Sequence, residues 1–316
     1  TTKNKESKET SKRPQILFCT DLSEPSYYSM MYTAYLASLL NGDLVLFHVF
    51  YRDSMTSFFD PFEGSSEHIK YDAEAMLKQY AESIMSNPKF SNMHAIKYFA
   101  EKGDFLGKAL YYSERFDYMV IGAQGHGLAD LFGNNAEKLI DRVKIPLLVI
   151  PHYQKLKHNN PLFQFKSMMY LSSFLNKSLD GEPIDDILKL LLLQQSIKKM
   201  SFVHVAKPDV ESSRLAIIQR LNSTDGESTP KKVPKSDFQK AIEKAFLNYF
   251  KSHPTTSPPS INMSCHVLHH SDVLEAIEPF MKSNDLFIVK KHSYPLLKEL
   301  FHKSVIHQLA MSSSKP

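Results

Sequence analysis

The sequence predicts an α/β protein of two tandem, doubly wound parallel-sheet domains on a five-stranded plan, the second copy degenerate and without its last strand. Three observations carry this reading. Short apolar runs without polar alternation are separated by helix-like stretches of about 10–15 residues, the pattern of parallel strands covered on both faces. The pattern restarts near Met168 and repeats several landmarks of the first pass in the same order. Finally, 316 residues with 42% hydrophobic content suffice for two domains, each with its own core.

The elements follow in order. After a basic tail, residues 1–13, expected to be disordered, Ile16 to Cys19 reads as a strand, Tyr27 to Leu40 as a helix and Leu44 to Phe50 as a buried strand. Tyr71 to Met85 has helical spacing, and Met93 to Phe99 reads as the next strand. Leu106 to Ser113 is helical, Tyr118 to Ile121 a strand, Ala136 to Val143 a helix, and Leu147 to Ile150, after Pro146, the closing strand. The first domain is placed at 14–152, a polar linker at 153–163 and the second domain at 164–316.

The second domain opens with the strand Met168 to Leu171 and a helix over Ile184 to Leu193. Phe202-Val203-His204-Val205 echoes Leu46-Phe47-His48-Val49, and Asn262-Met263 echoes Asn92-Met93. Asp285-Leu286-Phe287-Ile288-Val289 echoes Asp117-Tyr118-Met119-Val120-Ile121. Extra length enters at about residues 222–260, a polar loop carrying one amphipathic helix marked by Phe238, Ile242, Ala245, Phe246 and Tyr249. Pro254, Pro258 and Pro259 end that helix.

Composition narrows the function. No apolar run approaches the roughly 18–20 residues of a membrane span, and the basic tail is not followed by the apolar stretch of a signal peptide. Two cysteines make no disulfide framework, which points to a cytoplasmic protein. A net charge of +4 does not indicate nucleic acid or an acidic membrane as partner.

Glycine locates the candidate site. Four of the ten glycines, Gly122, Gly125, Gly127 and Gly133, cluster between the strand ending at Ile121 and the helix expected from Ala136. In open α/β sheets this carboxyl edge is where ligands bind. Glycines there let backbone N–H groups approach an anion, and a helix N-terminus adds partial positive charge. Asn134 followed by Glu137 has the form of a capping box. Spacing alone leaves a plain turn as the alternative. The order is neither a dinucleotide fingerprint nor a P-loop, which argues against a dehydrogenase or a P-loop NTPase.

Gly122-Ala123-Gln124-Gly125-His126-Gly127, Leu131-Phe132-Gly133-Asn134 and Pro146-Leu147-Leu148-Val149-Ile150-Pro151 together resemble the universal stress protein family. So do Thr20-Asp21 after the first strand and His48-Val49 in the second. The second half resembles a degenerate repeat of the same family. The resemblance implies an adenine nucleotide alpha hydrolase-like fold in a tandem member, with ATP, taken with Mg, in the first domain. It implies adenosine contacts from Thr20, Asp21 and the backbone of Val49. Phosphate contacts would come from Gly122, Gly125, His126, Gly127, Gly133, Asn134 and Asn135. Asp21 suits the role, because a carboxylate accepts hydrogen bonds from ribose hydroxyls or an adenine amino group; a turn residue is its plainer alternative. Two departures stand out. Seven residues, His126 to Phe132, separate Gly125 from Gly133, against a spacer of about nine in nucleotide-binding members, and Asn134 replaces a Ser or Thr.

In the second copy the equivalent of Asp21 falls at about Ser173, and Lys290, Lys291 and His292 stand where the first copy has glycines. Each adds a Cβ that obstructs a phosphate cradle, so no ATP is expected there. Cys265, His266, His269 and His270 supply only two side chains per face of a strand, too few for a closed metal site. Cys19 reads as buried and inert, and Met30, Met31, Met55, Met168 and Met169 as core. The reading that results is a non-enzymatic stress-response regulator: an intramolecular pseudo-dimer, open to further dimerisation, with a protein partner. A nucleotide-free interaction scaffold is the first alternative. A slow ATP-hydrolysing or nucleotidyl-transfer enzyme is the second, with His126 as the one candidate base in the loop.

Overall fold

The computed structural model describes residues 13–50, 66–122, 138–150, 166–171, 197–206, 261–270 and 272–289. The chain divides into two compact units, residues 1–148 and 149–316. That division falls inside the strand Leu147–Ile150, which is hydrogen-bonded into the first sheet and is described with it.

The first unit begins with β1 (Gln15–Thr20), in which Ile16, Leu17 and Phe18 have no solvent exposure at all. A run apolar on both faces has no solvated side, so it occupies the centre of a covered parallel sheet. Helix α1 (Glu24–Leu39) follows, three residues ahead of the expected start. Its first turn is polar, so apolar spacing gives no sign of it. Ser23 caps it by accepting from the Ser26 amide at 3.3 Å, and Pro25 sits in the first turn where a missing N–H is harmless. The helix ends at Leu40, and Gly42 passes so close to Pro14 that a Cβ would lie 2.7 Å from its carbonyl oxygen.

Strand β2 (Asp43–Phe50) leads to α2 (Ser66–Met85), which starts five residues before the expected Tyr71. Its first turns are solvent-facing and carry i,i+4 ion pairs, His68 with Asp72 and Lys70 with Glu74. The buried stripe of Ala73, Leu77, Ala81 and Ile84 packs the helix onto the sheet. A 3₁₀ turn at Pro88–Phe90 precedes β3 (Ala95–Lys102). The strand expected at Met93 begins later, because Met93 is buried in the turn after Phe90 and its apolar signal comes from packing. Then come α3 (Phe105–Ser113), β4 (Tyr118–Gly122), a helical stretch over 138–142, and β5 (Leu147–Ile150). The sheet order is β3-β2-β1-β4-β5, with β1 between β2 and β4.

In the second unit β6 (Ser167–Leu171), β7 (Lys199–Ala206), β8 (Asn262–His269), α4 (Val273–Ser283) and β9 (Leu286–Val289) are described. The four strands form a parallel sheet in the order β8-β7-β6-β9, the first sheet's order without a counterpart of β5 among the described residues. Met169, Leu171, Val203 and Val205 form a core with Val273 and Ile277 of α4. The expected strands at 168–171, 202–205 and 285–289 are all present. Helix α4 was not anticipated; the capping pattern Asp272-x-x-Glu275 marks it, with Asp272 Oδ1 accepting from the amides of Leu274 at 2.7 Å and Glu275 at 3.2 Å. The expected helices at 184–193 and 238–249 and the tail 1–12 lie outside the described residues.

Register tests the echoes. Gln15 pairs with Asp43 where Ser167 pairs with Lys199, which places His48 and His204 at the same position. Asp117 and Asp285 also correspond: each precedes its strand, donates its amide to the first strand and accepts from that strand's leading amide. The Asn92-Met93 echo does not correspond. Asn262 pairs with Lys199, whereas Ala95 holds that place opposite Asp43, so a short sequence match had slipped by three residues.

At the opposite edge from the glycine loop, Asp43 links three strands. Gln15 Nε2 donates to Oδ2 at 2.6 Å, and His94 Nδ1 lies 2.7 Å from Oδ1. Partial burial pushes this carboxyl up, but the hydrogen bonds from Gln15 and His94 and the charges of His94 and Lys97 outweigh it and hold it below the usual carboxylate range. A depressed carboxyl contributes stability above its unfolded value, and that contribution disappears as pH falls through the folded one. Asp43→Ala should therefore destabilise by about 1–3 kcal/mol at pH 7. Urea unfolding of both proteins from pH 7 to pH 2 checks this: the gap should narrow below about pH 4.

Candidate functional site

At the carboxyl edge of the first sheet β1 and β4 stop level with each other and β2 continues. The β1–β2 ladder ends with Thr20 opposite His48, so Val49 and Phe50 extend past β1 and pair only with Glu101 and Lys102 of β3. Gly122 is the last residue of β4, one beyond the Cys19–Ile121 pair. Thr20, Asp21, Val49 and Gly122 are thus brought to one edge. Gly125, His126, Gly127, Gly133, Asn134 and Asn135 lie outside the described residues.

Thr20 is almost wholly buried, and its hydroxyl is already used. Oγ1 lies 2.7 Å from Ser26 Oγ and accepts from the Leu22 amide at 3.0 Å. It shapes the turn into α1. Asp21 splits its two oxygens. Oδ1 accepts from the Ser23 amide at 3.0 Å and from Ser23 Oγ at 2.6 Å, an Asx turn, while Oδ2 is buried with no hydrogen-bond partner among the described residues. The turn role and the free acceptor therefore coexist in one side chain. Between them Leu22 has φ +63°, a left-handed conformation that costs a non-glycine residue about 1–2 kcal/mol.

Two side chains from other elements reach this turn. His48 Nδ1 lies 2.8 Å from the Thr20 carbonyl oxygen, and the Tyr80 hydroxyl of α2 donates to the Leu22 carbonyl at 3.4 Å. Tyr80 stacks against Tyr27 with ring centres 5.4 Å apart. Burial, then the Tyr27 and Asp21 charges, raise the Tyr80 phenol. Ser23 and Tyr80 were missed from sequence. The Asp-x-Ser spacing could have flagged Ser23, but nothing local could have flagged Tyr80.

Beside Val49, at the end of β3, Glu101 takes Lys108 Nζ at 2.7 Å and the Tyr112 hydroxyl. The bond to Glu101 is the main reason the Tyr112 phenol is pushed up to about 12. Tyr112 completes an aromatic cluster with Phe47 and Phe99, centres 4.7–5.0 Å apart, that supports the ends of β2 and β3.

The other candidates disperse. Cys19 is buried, and burial pushes its thiol up, so it is not a nucleophile. Met30, Met168 and Met169 are core. His266 packs edge-on against Phe280, while His270 Nδ1 bonds around Asp272, so these two imidazoles serve α4 separately. Among the described residues no group of three potential ligands could hold a metal, and no helix is long and apolar enough to cross a membrane.

Burial lowers the His48 imidazole, against smaller raising effects of the Thr20 carbonyl and the Asp21 charge. A histidine held neutral in the fold supports stability fully above its unfolded value near 6.5, and stability is lost as pH falls through that value toward the folded one. Urea midpoints measured from pH 8 to pH 5 should fall, and a His48→Asn variant should show a shallower fall over the same range.

Comparison with known proteins follows from this geometry. The model of the universal stress protein family matches residues 12–151. A universal stress protein from Archaeoglobus fulgidus is similar in structure at 12% identity over 95% of this chain and 93% of that one, with a TM-score of 0.59. One described as a putative universal stress protein from Pseudomonas aeruginosa aligns at 11% identity over 94% and 91%, TM-score 0.50. A universal stress protein in complex with cAMP aligns at 15% identity over 45% of this chain and 98% of that one, TM-score 0.33. At such identities the likeness is one of fold. No curated protein sequence matches the chain at a significant level.

Proposed function

We propose that the first unit of this chain, whose residues 12–151 match the model of the universal stress protein family, binds an adenine nucleotide at the carboxyl edge of its sheet. The observation that carries this reading is the buried Oδ2 of Asp21 at the end of the central strand, which has no hydrogen-bond partner among the described residues. A buried acceptor left without a donor costs about 1–3 kcal/mol, which a ligand's ribose hydroxyl or amino group would relieve. Val49, carried past the end of β1, offers backbone to the same ligand, and Gly122 begins the glycine loop that takes its phosphates. Thr20 acts behind the site through its turn.

The second unit does not share this function. We take it as a diverged tandem copy, supported by the repeated strand order and the paired Asp117 and Asp285 contacts. Counted along the sequence, Ser173 stands at the position of Asp21 and Lys290 at that of Gly122, so the carboxylate acceptor and the first glycine are both replaced. Nucleotide in the first unit orders its glycine loop and biases a surface read by a protein partner, without catalysis, in the cytoplasm. The second reading, a nucleotide-free scaffold, is favoured by the short spacer from Gly125 to Gly133 and by Asn134.

Native mass spectrometry and calorimetric titration with Mg-ATP, ATP without Mg, and cAMP test this. One adenine nucleotide should bind per chain. Asp21→Asn keeps Oδ1 for Ser23 but turns the free acceptor into a donor, and should weaken binding roughly 10- to 100-fold with unchanged circular dichroism. Gly122→Val should also weaken it. No affinity tighter than millimolar for any of these ligands would leave the scaffold reading.

A further inference from the structure

We propose that His48 is a positioning residue of this site, its Nδ1 proton donated to the Thr20 carbonyl so that Asp21 leaves the sheet in a fixed direction. The bond spans 2.8 Å and joins the two residues that form the last rung of the β1–β2 ladder. Just beyond that rung the chain turns sharply, through Leu22 at φ +63°. The other hydrogen bonds described for residues 20–23 run to residues 20–27: Thr20 with Ser26 and Leu22, Asp21 with Ser23, Ser23 with Ser26 and Tyr27. They join the turn to the start of α1 and leave its direction from the end of β1 to contacts with other elements. Among the described residues, the hydrogen bonds from residues 20–27 to α2 and β2 are those of His48, of Tyr80 at 3.4 Å and of the Tyr27 hydroxyl with Ser83 at 3.5 Å, and the His48 bond is the shortest.

The bond also selects a tautomer. A ring that donates from Nδ1 and is neutral carries no proton on Nε2, which is left an acceptor. Burial keeps the ring neutral at pH 7. His48 is thereby distinguished from a histidine retained for packing, which needs no particular tautomer. The role as a site residue rests on the nucleotide reading above; the bond and its effect on the turn do not.

The test compares two amides. Asparagine places its Nδ2 donor where imidazole has Nδ1, whereas glutamine places its donor one atom further out, near the position of Nε2. His48→Asn should keep Mg-ATP affinity and the hydrogen-exchange rates of the Leu22 and Ser23 amides within about threefold of the parent. His48→Gln should weaken affinity and speed both exchange rates roughly 5- to 10-fold, the effect of one lost hydrogen bond. Urea midpoints establish that both variants are folded. In the unaltered protein, ¹⁵N resonances of His48 should report the Nδ1–H form, a readout independent of any variant's folding. Equal losses in the two variants, or an Nε2–H tautomer, would overturn the proposal. Absence of Mg-ATP binding by the parent would instead count against the nucleotide reading, and exchange rates and tautomer would still decide the place of His48 in the turn.

Discussion

The carboxylate of Asp117, taking the Gln15 amide proton at 2.8 Å while its own amide donates to the Gln15 carbonyl at 3.0 Å, sets where β1 starts against β4. Because successive side chains of a strand point to opposite faces, a slip of one residue would carry every side chain of β1 to the opposite face. The same start decides where β1 stops. Five residues later the strand ends opposite His48, with Gly122 level with its last residue on one side and Val49 projecting past it on the other. Asp285 makes the corresponding contacts to Ser167, with Lys166 and the Ser167 hydroxyl added, and β6 runs from there with the same pairing to its neighbours. Two sheets that share little sequence are thus aligned by one carboxylate each.

What β1 delivers at its end is a polar turn in which nearly everything is satisfied internally. Thr20, Ser23 and Ser26 consume one another's hydrogen-bonding capacity, and Asp21 spends one oxygen on Ser23. The other oxygen is held away from water, without a partner among the described residues. Such an atom is tolerated where the surrounding structure over-determines its position, and here the Leu22 backbone is strained in the same three-residue stretch. Strain and an unsatisfied acceptor side by side are the features on which the proposed ligand site rests.

Much of the fold was legible in the sequence. The strands at 16–19, 44–50, 118–121, 147–150 and 168–171 lie where unbroken apolar runs placed them, because burial on both faces leaves a composition that solvent-facing elements do not have. Element ends were less legible. The start of α1 is set by Ser23 and Pro25, and the described turns of α2 before Tyr71 are solvent-facing and polar, so neither contributes apolar periodicity. Met93 misled for the opposite reason: its side chain is core although its backbone is turn. Of the candidate site, Thr20, Asp21, Val49 and Gly122 were found from resemblance and strand position, and the structure brings them to one edge.

The sequence by itself determined the α/β class, the repeat of the strand plan and the location of the glycine loop, since these follow from local composition and its order along the chain. Only the tertiary structure decided which polar groups are already spent. Thr20 and Asp21 look equivalent as adjacent polar residues after a strand, yet the hydroxyl is committed to Ser26 and Leu22 while one carboxylate oxygen remains open. Those bonds are local, to Ser26, Leu22 and Ser23, but the turn that makes them is held at its backbone carbonyls by partners that folding brings from afar: His48, 28 residues from Thr20, and Tyr80, 58 residues beyond Leu22. Burial and the bonds that fix the turn are properties of packed neighbours, and no local window along the chain contains them.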